Sequence, residues 1–166
     1  MAETFNSLRV EVKITGMLKG DDGSEQPITI TYERNMSNGT GTDGVGNCFW
    51  DKTRALAGTT EDIDLGTGGV NDFQGADAVL GDIKVLYYEN LSTTTTEVLK
   101  FTEGSATKAT TLLDGTAPKV KIGPSGIMLL INPIDGYALT DGSADFIGSE
   151  TTATSNYQLF VAGKNA

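Results

Sequence analysis

The chain contains no histidine, and no other absence in it excludes as much chemistry. Histidine is the commonest general base, the base of serine-type triads and the commonest metal ligand. There is one cysteine, Cys48, so neither an intrachain disulfide nor a thiolate zinc site is available. With no imidazole to activate it, Cys48 is not read as a nucleophile. Long apolar runs are also missing. The longest is Ile127 to Ile131, far short of the roughly 20 residues a membrane-spanning helix needs. No apolar segment opens the chain, so no signal peptide is expected and synthesis in a cytoplasm is. Basic residues are scarce: 12 Lys and Arg stand against 22 Asp and Glu, a net charge of -10. That balance argues against nucleic acid or an anionic membrane as partner.

What remains is a β-protein. Apolar content of 38% and charged content of 20% suit one globular domain with a real core. Glycine is abundant at 21 residues, threonine is frequent, and long helix-forming stretches are absent. Leu8, Val10, Val12 and Ile14 alternate with Arg9, Glu11, Lys13 and Thr15. This period of two predicts a strand with one buried and one wet face. Ile28, Ile30 and Tyr32 repeat the pattern after a Gly20–Ser24 turn, so the two read as a hairpin. Residues 35–47 read as a long polar loop suited to a partner. Trp50, the only tryptophan, reads as a core or interface anchor beside Cys48.

The organising stretch is predicted at Lys119 to Ala138. Five apolar residues, Ile127 to Ile131, suggest a strand buried on both faces, entered by a Gly123–Gly126 turn and closed by Asn132-Pro133. Further strands are expected at 60–65, 83–89, 98–101, 110–113, 120–122, 137–139, 144–147 and 157–161, while 70–80 reads as a short helix or an irregular strand. Roughly ten or eleven strands at short spacing indicate an all-β, jelly-roll-like sandwich with an N-terminal hairpin and little or no helix. The expected organisation is one domain, with residues 1–66 carrying hairpin, loop and connecting strands and 67–166 the sandwich core.

Chemistry has little to work with. Asp62 and Asp64 share a strand face about 7 Å apart, a spacing that inverting glycosidases use, yet an exposed acidic strand face explains them as well. Asp21–Glu25 and Asp141–Asp145 offer oxygen ligands at short spacing, and the same residues serve tight turns for backbone reasons. No catalytic residue, cofactor or metal is assigned, and no enzyme activity is expected.

The C-terminal half carries a recurring shape: Val85–Ser92, Ile122-Gly123-Pro124-Ser125-Gly126 before an apolar strand, Asp135-Gly136-Tyr137, an Asp141–Asp145 turn and a closing Tyr157–Gly163. Over roughly residues 60–163 this resembles the small jelly-roll virion proteins of tailed bacteriophages. The resemblance implies a structural role: a decoration (cement) protein that stabilises the capsid exterior, homotrimeric, with the major capsid protein as partner and the virion surface as location. It implies contact through the N-terminal lead and the 35–47 loop, making Phe5, Asn35, Met36, Asn38, Val45 and Trp50 the candidate contact residues. The competing expectation is a carbohydrate- or receptor-binding jelly roll of a spike or tail, with a pocket around Tyr137, Asp141 and Asp145.

Overall fold

The structure, a computed structural model, describes residues 6–39, 41–56, 59–66, 70–72, 75–102, 107–108, 119–139, 145–151 and 155–165. These residues contain strands and turns and no helix. In chain order the strands are β1 (Ser7–Lys19), β2 (Glu25–Asn38), β3 (Gly44–Val45), β4 (Asn47–Leu56), β5 (Thr60–Asp64), β6 (Asp82–Ile83) and β7 (Val85–Asn90). They continue with β8 (Leu99–Thr102), β9 (Thr107–Lys108), β10 (Lys119–Ile122), β11 (Ile127–Ile131), β12 (Tyr137–Ala138), β13 (Asp145–Thr151) and β14 (Ser155–Gly163).

Two sheets make the body. One runs β11-β7-β14-β4, and the other runs β10-β8-β13-β5 with β9 beside β13. Leu86, Tyr88, Leu159 and Val161 from the first sheet share a core with Ile63, Leu99, Phe101 and Ile122 from the second. The aromatic centre is Tyr88, stacked on Tyr157 at 4.9 Å and meeting Phe101 edge-on at 5.5 Å. Both arrangements suit the ring quadrupole. Asn90 is fully buried with its hydrogen bonds made. Its amide donates to the carbonyls of Glu97 and Ile122 and its oxygen accepts from the Ser92 amide. That pins the crossing between the sheets.

The first sheet packs apolar residues on both faces. Its strands alternate, so β14 sends Tyr157, Leu159 and Val161 into the shared core while Phe160 and Ala162 face the other way. There Cys48, Val85 and Ala162 pack with Met36 and Val45, and with half-buried Leu8 and Val10 at the base of the hairpin. β14 is thus the central strand of the molecule. Gly163 closes it where a Cβ would stand 1.8 Å from the Asp82 carbonyl oxygen, so no larger residue fits.

The β1–β2 hairpin pairs Ser7 with Ser37 through to Lys19 with Glu25 without a register shift. Gly20 and Ser24 close the turn at 2.8 Å, Gly23 adopts φ +82°, and the Asp22 carboxylate accepts from the Ser24 amide at 2.9 Å. A hydrogen bond from the Ser24 side chain first, and that from its amide second, hold the Asp22 carboxyl below its ordinary range.

Several expectations change. β11 is an edge strand, not the centre: Met128 is buried, but Ile127 is exposed and Leu129 to Ile131 are half-buried. An apolar run lands at an edge because both of its faces still touch cores, Leu130 one and Leu129 and Ile131 the other. The 35–47 loop is shorter than expected, since β2 runs on to Asn38 and β3 pairs with it in parallel. The sandwich also takes in the expected connecting strands: β4 pairs with β14, and β5 with β13. Within 70–80, the described residues form two isolated bridges, Asn71 with Asp77 and Leu80 with Asn165, in place of a helix. The expected strand at 110–113 lies outside the described residues.

Candidate docking site

Opposite residues of an antiparallel pair share a face. The β1–β2 register therefore gathers Leu8, Val10, Val12, Ile14 and Leu18 with Met36, Tyr32, Ile30 and Ile28 on one side, where Arg34 lies opposite Val10 and Gln26 opposite Leu18. The other side carries Arg9, Glu11, Lys13 and Thr15 with Asn35, Glu33, Thr31 and Thr29. Only the base of the apolar side is covered. Met36 is buried, whereas Ile14 is 57% exposed, Leu18 56% and Ile30 57%. Beyond its base the hairpin is an arm. At about 3.4 Å per residue the thirteen residues of β1 span about 44 Å.

Where the arm leaves the body it borders a groove of about 430 Å³. Leu8, Arg9, Val10 and Glu11 form one wall. Four consecutive strand residues point to alternating faces, so this wall is the edge of β1. Among the described residues that edge has no strand beside it, because β1 ends its sheet. The floor crosses the outer face of the first sheet through Trp50, Phe160, Tyr87 and Leu129. Trp50 is 52% exposed, meets Phe160 edge-on at 6.5 Å, and carries the Lys52 ammonium 4.4 Å from its ring centre. Tyr87 donates to the Glu89 carboxylate; burial first, and that bond second, push its phenol up to about 12. Arg9 lies between two carboxylates, Glu11 at 2.9 Å and Glu33 at 3.3 Å.

The six expected contact residues do not form one surface. Trp50 lies in the groove, and Asn35 and Asn38 are exposed on β2. Met36 and Val45 are buried in the second core, so as folded they hold the arm to the body and cannot touch a partner. Phe5 lies outside the described residues. Of the sugar pocket expected around Tyr137, Asp141 and Asp145, Tyr137 packs against the main core and Asp141 lies outside the described residues. Asp145 belongs to the backbone of β13.

Asp64 accepts from the Gly66 amide at 2.9 Å, as a turn residue does. Glu61 is bound by Arg54 at 2.6 Å and by the Tyr157 hydroxyl at 2.8 Å. Cys48 is buried, and burial pushes its thiol up, away from reactivity. Among the described residues no three His, Cys, Asp or Glu side chains cluster to hold a metal. A polar hollow of about 280 Å³ beside Asp82, Lys84, Asp135 and Lys164 has balanced charges, and its buried lysine is already engaged.

Fold and site together define an all-β sandwich bearing a projecting, half-apolar arm beside an aromatic groove. No family model, no curated protein and no solved structure matches the chain.

The groove's Tyr87, Leu129 and Phe160 and the arm's Ile14, Ile30 and Tyr32 are absent from the contact residues expected from the sequence. The alternation of the hairpin marks its apolar face. That the face stays bare along the arm depends on where the body ends.

Proposed function

We propose that the protein is a non-catalytic structural protein that docks on a large assembly, as a decoration protein on a bacteriophage capsid exterior does. The observation that carries this reading is the uncovered apolar face of the arm. The body completes its cores without the distal arm, so the arm's apolar side chains serve contact with something else. Binding to an assembled shell, and not to its free subunits, stabilises the shell by mass action. The strand order supports the jelly-roll part of the reading. β4, β5, β7, β8, β10, β11, β13 and β14 fall into the sheets β4-β14-β7-β11 and β5-β13-β8-β10, as two nested Greek keys require.

The test is co-sedimentation with shells assembled from the major capsid protein of the same genome. Saturable binding that Ile30→Asp abolishes, with shells surviving higher temperature when coated, supports the proposal. Absence of binding at micromolar protein refutes it. Half-exposed Trp50, with Phe160 at its edge, favours a second reading, a carbohydrate-binding module that stacks a sugar ring. A glycan array with saturable binding lost in Trp50→Ala would replace the first reading by that one.

A further inference from the structure

We infer that the open edge of β1 is a homotypic docking site that takes β1 of a second copy, antiparallel, and lays that copy's arm over the Trp50 groove. The inference is independent of the capsid reading, since pairing of copies needs no shell.

An edge strand normally carries a guard against pairing, such as a proline, a bulge or an inward-pointing charge. β1 has none of these three, and its charges, Arg9, Glu11, Lys13 and Lys19, all lie on the wet face. Its register is unbroken, the hairpin's proline is Pro27 on β2, and its apolar face from Leu8 to Leu18 bears no charged residue. The groove beside that edge cannot be filled by the chain's own arm, because the base of that arm is its wall. An added strand extends the sheet past the wall and turns its apolar side chains the same way as Leu8 and Val10, onto the aromatic floor. The chain itself carries a strand of that description, with Ile14 and Leu18 bare.

Charge selects the register. A two-fold axis through Val12 sets Val12 opposite Val12 of the second copy, Val10 opposite its Ile14 and Leu8 opposite its Gly16. On the wet face it sets Glu11 opposite Lys13 of the second copy, twice by symmetry. Arg9 alone faces Glu11 and Glu33, so an added lysine completes that cluster. An axis at Lys13 would oppose two lysines, and one at Glu11 two glutamates. An axis at Ile14 would oppose Arg9 and Lys19, and one at Val10 would leave Ile14 opposite Asn6 with no apolar partner. Gly16 fits the same register. A glycine inside a strand often marks close approach of another chain, and among the described residues nothing lies within 4 Å of where its Cβ would be. Opposite Leu8, at the point where the arm tip reaches the other body, the missing side chain leaves room.

β1 has one open edge, so the docking joins copies in pairs, in contrast to the trimer that the virion resemblance implies. Two readouts test it on the full-length protein. Sedimentation from micromolar to millimolar concentration is expected to show passage from 17.5 kDa to twice that mass. Emission of the sole tryptophan, Trp50, shifts to the blue in step, and Ile14→Asp abolishes both changes. Val12→Cys is expected to cross-link to itself under mild oxidation. Opposite Cα atoms about 4.5–5.5 Å apart fall within the disulfide range of about 4.4–6.8 Å, and the native Cys48 is buried. Ile14→Cys alone does not cross-link, but it does when mixed with Val10→Cys. A monomer at every concentration, a trimer, or a dimer that leaves Trp50 emission unchanged and Val12→Cys uncross-linked would each overturn the proposal.

Discussion

Lys84 is 2% exposed, and its ammonium donates to the Ile134 carbonyl at 2.7 Å with the Asp82 carboxylate 3.5 Å away. A buried pair is costly to break and cheap to replace. Asp82→Ala is therefore expected to lower stability by about 3–5 kcal/mol, while the double variant Asp82→Asn with Lys84→Met, which removes both charges, stays near wild type or gains about 1 kcal/mol. Urea unfolding of both variants checks this. Tyr87 gives a pH prediction. Its phenol titrates near 12 in the folded chain against about 10 when unfolded. Between those values the unfolded chain has lost the proton and the folded chain keeps it. The contribution is complete below pH 10 and disappears as pH rises through 12. Absorbance titration of phenolate should show a late-titrating tyrosine that Glu89→Gln brings earlier, though burial keeps it above the ordinary value. Lys84 is not legible from its own sequence position, because the partners that bury it come together only through the pairing of β6 with β12.

At the scale of the element, the arm divides into a covered base and a bare end. A two-stranded ribbon without a covering layer is marginally stable in water. Amide exchange in the monomer is therefore expected to be slow at Leu8, Val10 and Met36 and fast from Ile14 to Ile30, read residue by residue by NMR. Substitutions should divide the same way. Met36→Ala removes a buried side chain from the second core and is expected to cost about 2–5 kcal/mol. Ile30→Asp in the exposed end stays within about 0.5 kcal/mol. Chemical denaturation of the two variants at micromolar protein distinguishes them. Strict alternation and the Gly20–Ser24 turn made the hairpin readable. The same alternation made the arm look half-buried throughout, which holds only near Leu8 to Val12. The Ile127–Ile131 run misled in the opposite sense. Five apolar residues in a row say that both faces of a strand meet apolar atoms, and that is also true of an edge strand between two cores.

For the whole molecule, the two body sheets share one core while the arm stands outside it. A variant in which residues 13–31 are replaced by Asn-Gly, a two-residue turn for the remaining hairpin, is expected to unfold in one cooperative transition. Its midpoint should lie within about 1 kcal/mol of wild type, with no dimer formed and no shell bound. Loss of cooperative unfolding would show instead that the arm is part of the folding unit. The sequence by itself determined the all-β class, because turn residues and two-residue periodicity are local properties written at each strand. Tertiary structure alone decided that β14 is the centre, that Met36 and Val45 are buried anchors, and that the Trp50 groove lies beside an open strand edge. Each of these depends on which strands become neighbours. Pairing between residues far apart in the chain is a global choice, and no local pattern encodes it.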